Sequence, residues 1–273
     1  MKSNQELRDL VKDKYSSIAK SQAEECCGDS SCLEYSFIGD DYQGKEGYDA
    51  KADLGLGCGV PTEHAKINPG DTVVDLGSGA GNDAFVARAE TGSDGRVIGI
   101  DFSEEMVQRA RNNVKRLGYD NIEFRHGDIE QIPLADEATD VVISNCVFNL
   151  VPDKESAFRE TFRILKPGGH FSISDVVVEG NIPVELKEQA ELYAGCVSGA
   201  IDLEKYLGVI ENAGFEEISI VKKRQISLPE SLVDMLLDDE QKKVYEESEF
   251  GIFSITVFGR RPKTEECCTG PCC

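Results

Sequence analysis

The period of the apolar residues changes repeatedly along this chain, and the changes mark out its elements. Residues 4–20 set Leu7, Leu10, Val11, Tyr15 and Ile18 at the spacing of an amphipathic helix. From 21 to about 60 the period dissolves into Gly, Ser, Asp and Cys, which predicts a loop-rich cap. From residue 71 strand-like and helix-like segments alternate. TVVDLG (72–77) predicts a strand and AFVARA (84–89) a helix. RVIGID (96–101) predicts a second strand, after which Ser103 can N-cap a helix running to about 117. NIEFRHGD (121–128) is a third strand, and DVVISNCV (140–147) a fourth, apolar enough for burial on both faces. A helix over 153–165 is stopped by LKPGG (165–169), and GHFSISDVVV (169–178) is a fifth strand. Helices near 184–195 and 202–213 follow. EISIVKKRQIS (217–227) and GIFSITVFGRR (251–261) predict two final strands.

Such alternation requires right-handed crossovers and a mostly parallel sheet covered on both faces, an α/β protein. There is no internal repeat. A length of 273 residues suits one large domain, or one domain with additions. The pattern divides it into a helix and cysteine-containing cap (1–60), an α/β domain (61–262) and a tail, TEECCTGPCC, within 263–273. The tail has no apolar periodicity and reads as an appendage.

Charge narrows the partners. Fifty-one acidic side chains against 29 basic ones leave a net charge of −22, and no basic groove is visible. That argues against nucleic acid, whose binding draws on clustered Lys and Arg. The first residues, MKSNQELRDLVKDKYSS, lack the apolar core of a signal peptide, and no apolar run is long enough to cross a bilayer. The expectation is a cytoplasmic protein without a membrane partner, in a compartment where thiols stay reduced. Ten cysteines there need a chemical or metal-binding reason, or are inert core residues.

The first strand runs into DLGSGAGND (75–83). A glycine turn between strand and helix lets backbone approach a ligand and aims free amides at it. The glycines fall at Gly77, Gly79 and Gly81, with Asn82 where a dinucleotide fingerprint needs another glycine. The turn instead resembles the first motif of the class I S-adenosylmethionine-dependent methyltransferases. That resemblance implies a Rossmann-like, seven-stranded, mostly parallel sheet with its last strand reversed, and S-adenosylmethionine as cofactor. It puts Asp75, Gly77, Ser78, Gly79 and Asn82 at the cofactor. Asp101-Phe102 closes the second strand, where a carboxylate can accept both ribose hydroxyls. Asp128-Ile129 closes the third, where the family pattern contacts adenine, and Asn145-Cys146 closes the fourth. Any one carboxylate is more often a helix cap or a solvated residue. Set along the carboxyl edge of a parallel sheet, three of them favour a cleft.

Three cysteine segments narrow the resemblance. GLGCGVP (55–61), SNCVFNLVPDK (144–154) and AGCVSGA (194–200) look like the arsenite S-adenosylmethionine methyltransferase family in order and spacing. The resemblance implies that Cys58, Cys146 and Cys196 handle arsenic, presented as thiol conjugates of arsenite and methylarsenite. It also implies a further N-terminal cysteine that pairs with Cys58 during turnover. Cys26, Cys27 and Cys32 are all candidates, with Cys32 preferred. Thiolates suit trivalent arsenic because it is soft. Three of them leave its lone pair exposed to attack a sulfonium methyl group, so no general base is needed, in keeping with only three histidines, His64, His126 and His170. Arsenic oxidised by that step can be reduced by thiols, whose disulfide a reductant such as thioredoxin or glutathione reopens. Buried cysteines are also common without any role, Cys146 and Cys196 included. The tail pairs Cys267, Cys268, Cys272 and Cys273 suit zinc, arsenic capture or a thiol reservoir. Two other functions compete: methylation of another small molecule such as a quinone, and non-enzymatic thiol sequestration of arsenic or a soft metal.

Overall fold

The computed structural model describes residues 4–21, 42–180, 199–227, 242–243 and 251–263. The elements are α1 (Asn4–Ser21), β1 (Thr72–Leu76), α2 (Asn82–Thr91), β2 (Arg96–Asp101), α3 (Glu104–Leu117), β3 (Ile122–His126) and β4 (Thr139–Asn145). They continue with α4 (Lys154–Ile164), β5 (Leu165–Glu179), α5 (Leu203–Asn212), β6 (Glu216–Ile226) and β7 (Gly251–Arg260). The strands form one sheet in the order β3-β2-β1-β4-β5-β7-β6. Pairing is parallel from β3 to β5, and β7 lies antiparallel to both β5 and β6. This is the expected seven-stranded sheet with a reversed last strand.

The continuous apolar runs have a direct physical use. Successive residues of a strand point to opposite faces, so a strand covered on both must be apolar throughout. Val73 and Val141 pack with Phe85, Val97 and Phe124 on one face. Their neighbours Val74 and Val142 pack with Phe158, Phe171, Tyr206 and Ile210 on the other. Each large side chain so buried contributes roughly 1.5–3 kcal/mol. Helix starts are capped as the sequence implies: Ser103 accepts from the Met106 amide, and Asp153 from that of Ser156. Asp202 does the same for α5, accepting from Glu204 and Lys205.

The boundaries move in three places. LKPGG does not form a loop after α4, because Leu165 is already the first residue of β5. Thr139 pairs with Leu165 and Val141 with His170, so the intervening residues are absorbed as a bulge. Gly168 there takes φ +80°, and its amide and the Gly169 carbonyl bond to Arg261 beyond β7. β3 ends at His126, two residues before Asp128. β4 ends at Asn145, leaving Cys146 outside the strand at φ +60°.

Helix α1 lies across α3. Ser16 Oγ donates to Glu105 at 2.8 Å and Arg109 donates to the Ala19 carbonyl at 3.3 Å. Residues 42–60 form turns, and the rest of the expected loop-rich stretch, 22–41, lies outside the described residues. The expected helix near 184–195 and the tail 264–273 lie outside the described residues. Among the described residues no helix is long and apolar enough to cross a membrane.

Candidate active site

All parallel strands end on one side of the sheet, and the glycine turn after β1 is strapped to that edge. The amides of Gly77 and Ser78 both donate to the Ile100 carbonyl, at 2.7 and 3.0 Å. Asp101, last residue of β2, accepts from the Gly79 amide on one oxygen and the Ser103 amide on the other, both at 2.9 Å. Burial pushes the Asp101 carboxyl up to about 6, against the pull of those two amides. Asp75, at the end of β1, is pushed well above the usual carboxylate range by burial and then by Asp83 and Asp101. Asp83, in the first turn of α2, rises to about 6 through burial. It accepts from the Tyr42 hydroxyl at 2.5 Å and from Asn145 Nδ2 at 3.1 Å. Half-buried Asp83 and buried Asp101, both titrating near 6, therefore make this edge electronegative at neutral pH, a setting suited to a cationic ligand.

A cavity of about 110 Å³ takes in Gly79, Asp83, Asp101, Asn145 and Cys146. A second, of about 250 Å³, is bordered by His126, Asp128, Ile129 and Pro152. Gly77, Phe102, Val147 and Leu150 border both, so the two are continuous along the strand ends. Helix α1 covers the second: Arg8 and Val11 border it, and Arg8 pairs with Glu130 and, at 3.9 Å, with Asp128. An elongated ligand with a polar body and a flat head fits this pair of cavities. Asp75 Oδ2, Ser78 Oγ and Asn82 Oδ1 are buried around the glycine turn without hydrogen-bond partners. Orphaned polar atoms of this kind call for an additional group, and their donor and acceptor mix suits the polar end of an amino-acid-bearing nucleoside such as S-adenosylmethionine.

Of the two described thiols, Cys146 lines the first cavity and Cys58 stands behind Gly57, which also lines it. Cys58 is held by its backbone: its amide donates to Asn145 Oδ1 at 3.0 Å and its carbonyl accepts from Ser254 Oγ at 2.5 Å. The flanking glycines allow this approach, since a Cβ at Gly57 would meet Asn145 Nδ2 at 2.6 Å and one at Gly59 the Ser174 hydroxyl at 2.6 Å. Cys146 follows β4, its amide donating to the Ser174 carbonyl at 2.8 Å. Its left-handed backbone stores about 1–3 kcal/mol and turns the side chain out of the strand's alternation. Both thiols are buried, at 0% and 2% exposure. Their sulfurs and a carboxylate oxygen of Asp175 lie within 4.8 Å of one another.

Sequence reasoning missed four members of this site: Tyr42, Asp83, Asp175 and Tyr206. Asp175 sits fully buried in β5, and burial lifts its carboxyl to about 7 despite Lys154, the Val176 amide and the Tyr206 hydroxyl. Tyr206, on α5, is raised above its usual value by burial, then by Asp175, with Cys58 and Cys146 adding to it. A lone acid inside the apolar run FSISDVVV was the available signal. Cys196 and Cys32 lie outside the described residues, so only two of the predicted arsenic-handling cysteines are seen together. The predicted cofactor residues Asp75, Gly77, Ser78, Gly79, Asn82, Asp101, Phe102 and Asn145 gather at the first cavity and its glycine turn. Asp128 and Ile129 stand at the second.

A family model described as "Methyltransferase domain" matches residues 67–245, which contain this glycine turn and both strand ends that follow it. The chain belongs to the methyltransferase-domain family. An arsenite methyltransferase of Halobacterium salinarum is 44% identical over 235 residues, 80% of this chain and 60% of that protein. One from Aquipseudomonas alcaligenes is 36% identical over 190 residues, 67% of this chain and 54% of that protein. The chain thus spans little more than half the length of these relatives. Its fold matches the crystal structure of an arsenic (III) S-adenosylmethionine methyltransferase from Chlamydomonas reinhardtii, with a TM-score of 0.63 and 30% identity. That match covers 86% of this chain and 74% of the other.

Proposed function

We propose that this methyltransferase transfers methyl groups from S-adenosylmethionine to trivalent arsenic held on cysteine thiolates, giving methylated arsenicals. The observation that carries the reading is a pair of buried thiols brought together: Cys146 lines the cavity that Asp101 and the glycine turn also line, and the Cys58 sulfur lies within 4.8 Å of the Cys146 sulfur. The names of the relatives point the same way. S-adenosylmethionine, when bound, supplies an electrophilic methyl group on a cationic sulfonium.

The chain's residues do the rest. Asp101 accepts the ribose hydroxyls, Phe102, Asp128 and Ile129 receive the adenine, and Asp75, Ser78, Gly79 and Asn82 hold the amino-acid end. Asp83 and Asp101, which titrate near 6, hold negative charge against the cation. Cys58 and Cys146, with Cys196, grip arsenic through sulfur and leave its lone pair directed at the cavity, so positioning supplies much of the rate. Arsenic carries no proton at that step, and none of these residues acts as a base. Transfer raises arsenic to the pentavalent state. Two thiolates then return two electrons to it by forming a disulfide, Cys58 with Cys32 in preference to Cys26 or Cys27. Thioredoxin or glutathione reopens that disulfide by exchange, in a reducing compartment such as the cytoplasm. Residues 1–60 act as the cap that brings this partner cysteine in, and the tail cysteines gather substrate.

The test is incubation of the purified chain with arsenite, S-adenosylmethionine and a thiol reductant, with methylated arsenic resolved by chromatography. Methylated product is expected. Its absence, with arsenite still bound, would turn the reading to sequestration. Peptide mapping after turnover without reductant is expected to find Cys58 in a disulfide with an N-terminal cysteine; a reduced Cys58 would remove the redox step.

A further inference from the structure

Methyl transfer leaves Asp175 without a task, although it is a fully buried acid facing both thiols. Its two oxygens are already oriented. Oδ1 accepts from the Val176 amide at 3.0 Å and Oδ2 from the Tyr206 hydroxyl at 3.1 Å. Bonds of this kind fix a ligand's plane before an ion arrives. Lys154 faces the same carboxylate, its ammonium tethered to the carbonyls of Asn149 and Val151 at 3.2 Å each.

We propose that Cys58, Cys146 and Asp175 form a binding site for a thiophilic divalent cation of the zinc class, occupied in competition with trivalent arsenic. Zinc takes sulfur at about 2.3 Å and carboxylate oxygen at about 2.0–2.2 Å, usually on a tetrahedron. Donors on such a tetrahedron stand roughly 3.5–4 Å apart, so atoms already within 4.8 Å of one another need only a small side-chain adjustment. The charges match as well. Two thiolates, one carboxylate, a divalent ion and the Lys154 ammonium leave the buried site neutral. Each thiol gives its proton to solvent as the ion binds. Cys146 lines the first cavity, which gives an ion a way in from the cleft.

Asp175 is what separates the two occupants. A carboxylate is a normal ligand for zinc but a poor one for soft trivalent arsenic, which relies on sulfur. Cation binding itself does not depend on the proposed methyl transfer; only the competition rests on that reading.

The probe is cobalt(II), whose sulfur-to-metal charge-transfer absorption reports thiolate ligation. The protein is the full chain with the N-terminal and tail cysteines replaced by serine, leaving Cys58, Cys146 and Cys196. One cobalt per chain is expected, displaced by zinc. Cys58→Ser and Cys146→Ser should each weaken the absorption, and Cys196→Ser should leave it. Asp175→Asn should weaken binding at least about tenfold. One equivalent of arsenite should abolish the absorption in the parent. Absence of cobalt binding, equal affinity of parent and Asp175→Asn, or dependence on Cys196 alone would overturn the site, and persistence of the band under arsenite would overturn the competition. A second readout needs no variant at residue 175: zinc should slow alkylation of Cys58 and Cys146, mapped by peptide mass spectrometry, and unchanged rates would count against the site. Missing methylated product with intact cobalt binding would overturn the methyl transfer and leave the cation site standing.

Discussion

The two ends of the active-site cleft are built from different kinds of information. At the β1–β2 end, a five-residue turn (77–81) and one carboxylate, Asp101, organise the cleft through backbone amides. At the β4–β5 end, Cys58, Cys146, Asp175 and Tyr206 come from four separate segments and meet only through the fold. The first end is local and its chemistry is backbone chemistry. The second is long-range and its chemistry is side-chain chemistry, so substitutions should separate the two functions cleanly.

The widest separation is expected from the thiols. Cys58→Ser and Cys146→Ser should each cut arsenite methylation by more than about 100-fold, beyond the usual cost of losing a supporting partner. Affinity for S-adenosylmethionine, measured by calorimetry, should change less than about threefold, under 0.7 kcal/mol. Equal losses at both ends would break the comparison. Asp101→Asn is the converse experiment. Charge-assisted hydrogen bonds contribute roughly 1.5–3 kcal/mol, so cofactor affinity should fall about 10–100-fold while arsenite binding is kept.

That division explains what was legible. The order of elements and the mostly parallel sheet followed from apolar periodicity, because a strand buried on both faces writes itself as a continuous run, whereas the reversed last strand came from the resemblance of the glycine turn to methyltransferases. The glycine turn was legible because its residues are contiguous and each glycine answers a local need, as Gly77 does at φ +74°, where a Cβ would lie 2.2 Å from Val147. The thiol end was half legible. Cys58 and Cys146 stood in motifs, but no local pattern says that an acid in β5 faces them. LKPGG misled for a physical reason: proline and glycine usually end a helix in a loop, and here a bulge paired them into the sheet.

Asp101→Asn also has a smaller, pH-dependent consequence that sharpens the contrast. The folded carboxyl titrates at about 6, above its unfolded value near 4. A raised acid pKa means the native state holds the proton more tightly than the unfolded chain. The stability it contributes is therefore full below pH ~4 and is lost as pH rises through ~6. Asparagine resembles the protonated acid at every pH. The cofactor-free variant should melt several degrees above the parent at pH 8, at roughly 2–4 °C per kcal/mol for a chain of this size. The gap should close towards pH 4. A variant less stable by the same amount at both pH values would show Asp101 acting as a structural acceptor instead.

The smallest effect should come from Ser254→Ala, behind the thiols. Ser254 is 5% exposed and its hydroxyl holds the Cys58 carbonyl at 2.5 Å. Losing one such bond costs about 1 kcal/mol, yet four others still pin the loop: Cys58 and Gly59 amides to Asn145 Oδ1, and Asn145 Nδ2 and the Tyr42 hydroxyl to the Gly59 carbonyl. Urea unfolding should therefore show a loss of about 1 kcal/mol, with methylation reduced only a fewfold and cofactor affinity unchanged. Asn145→Ala removes three of these four bonds at once and touches both ends of the cleft, since Asn145 also donates to Asp83. It should lower cofactor affinity and methylation together. If Ser254→Ala did the same, Cys58 would have to be coupled to the glycine turn by something other than Asn145.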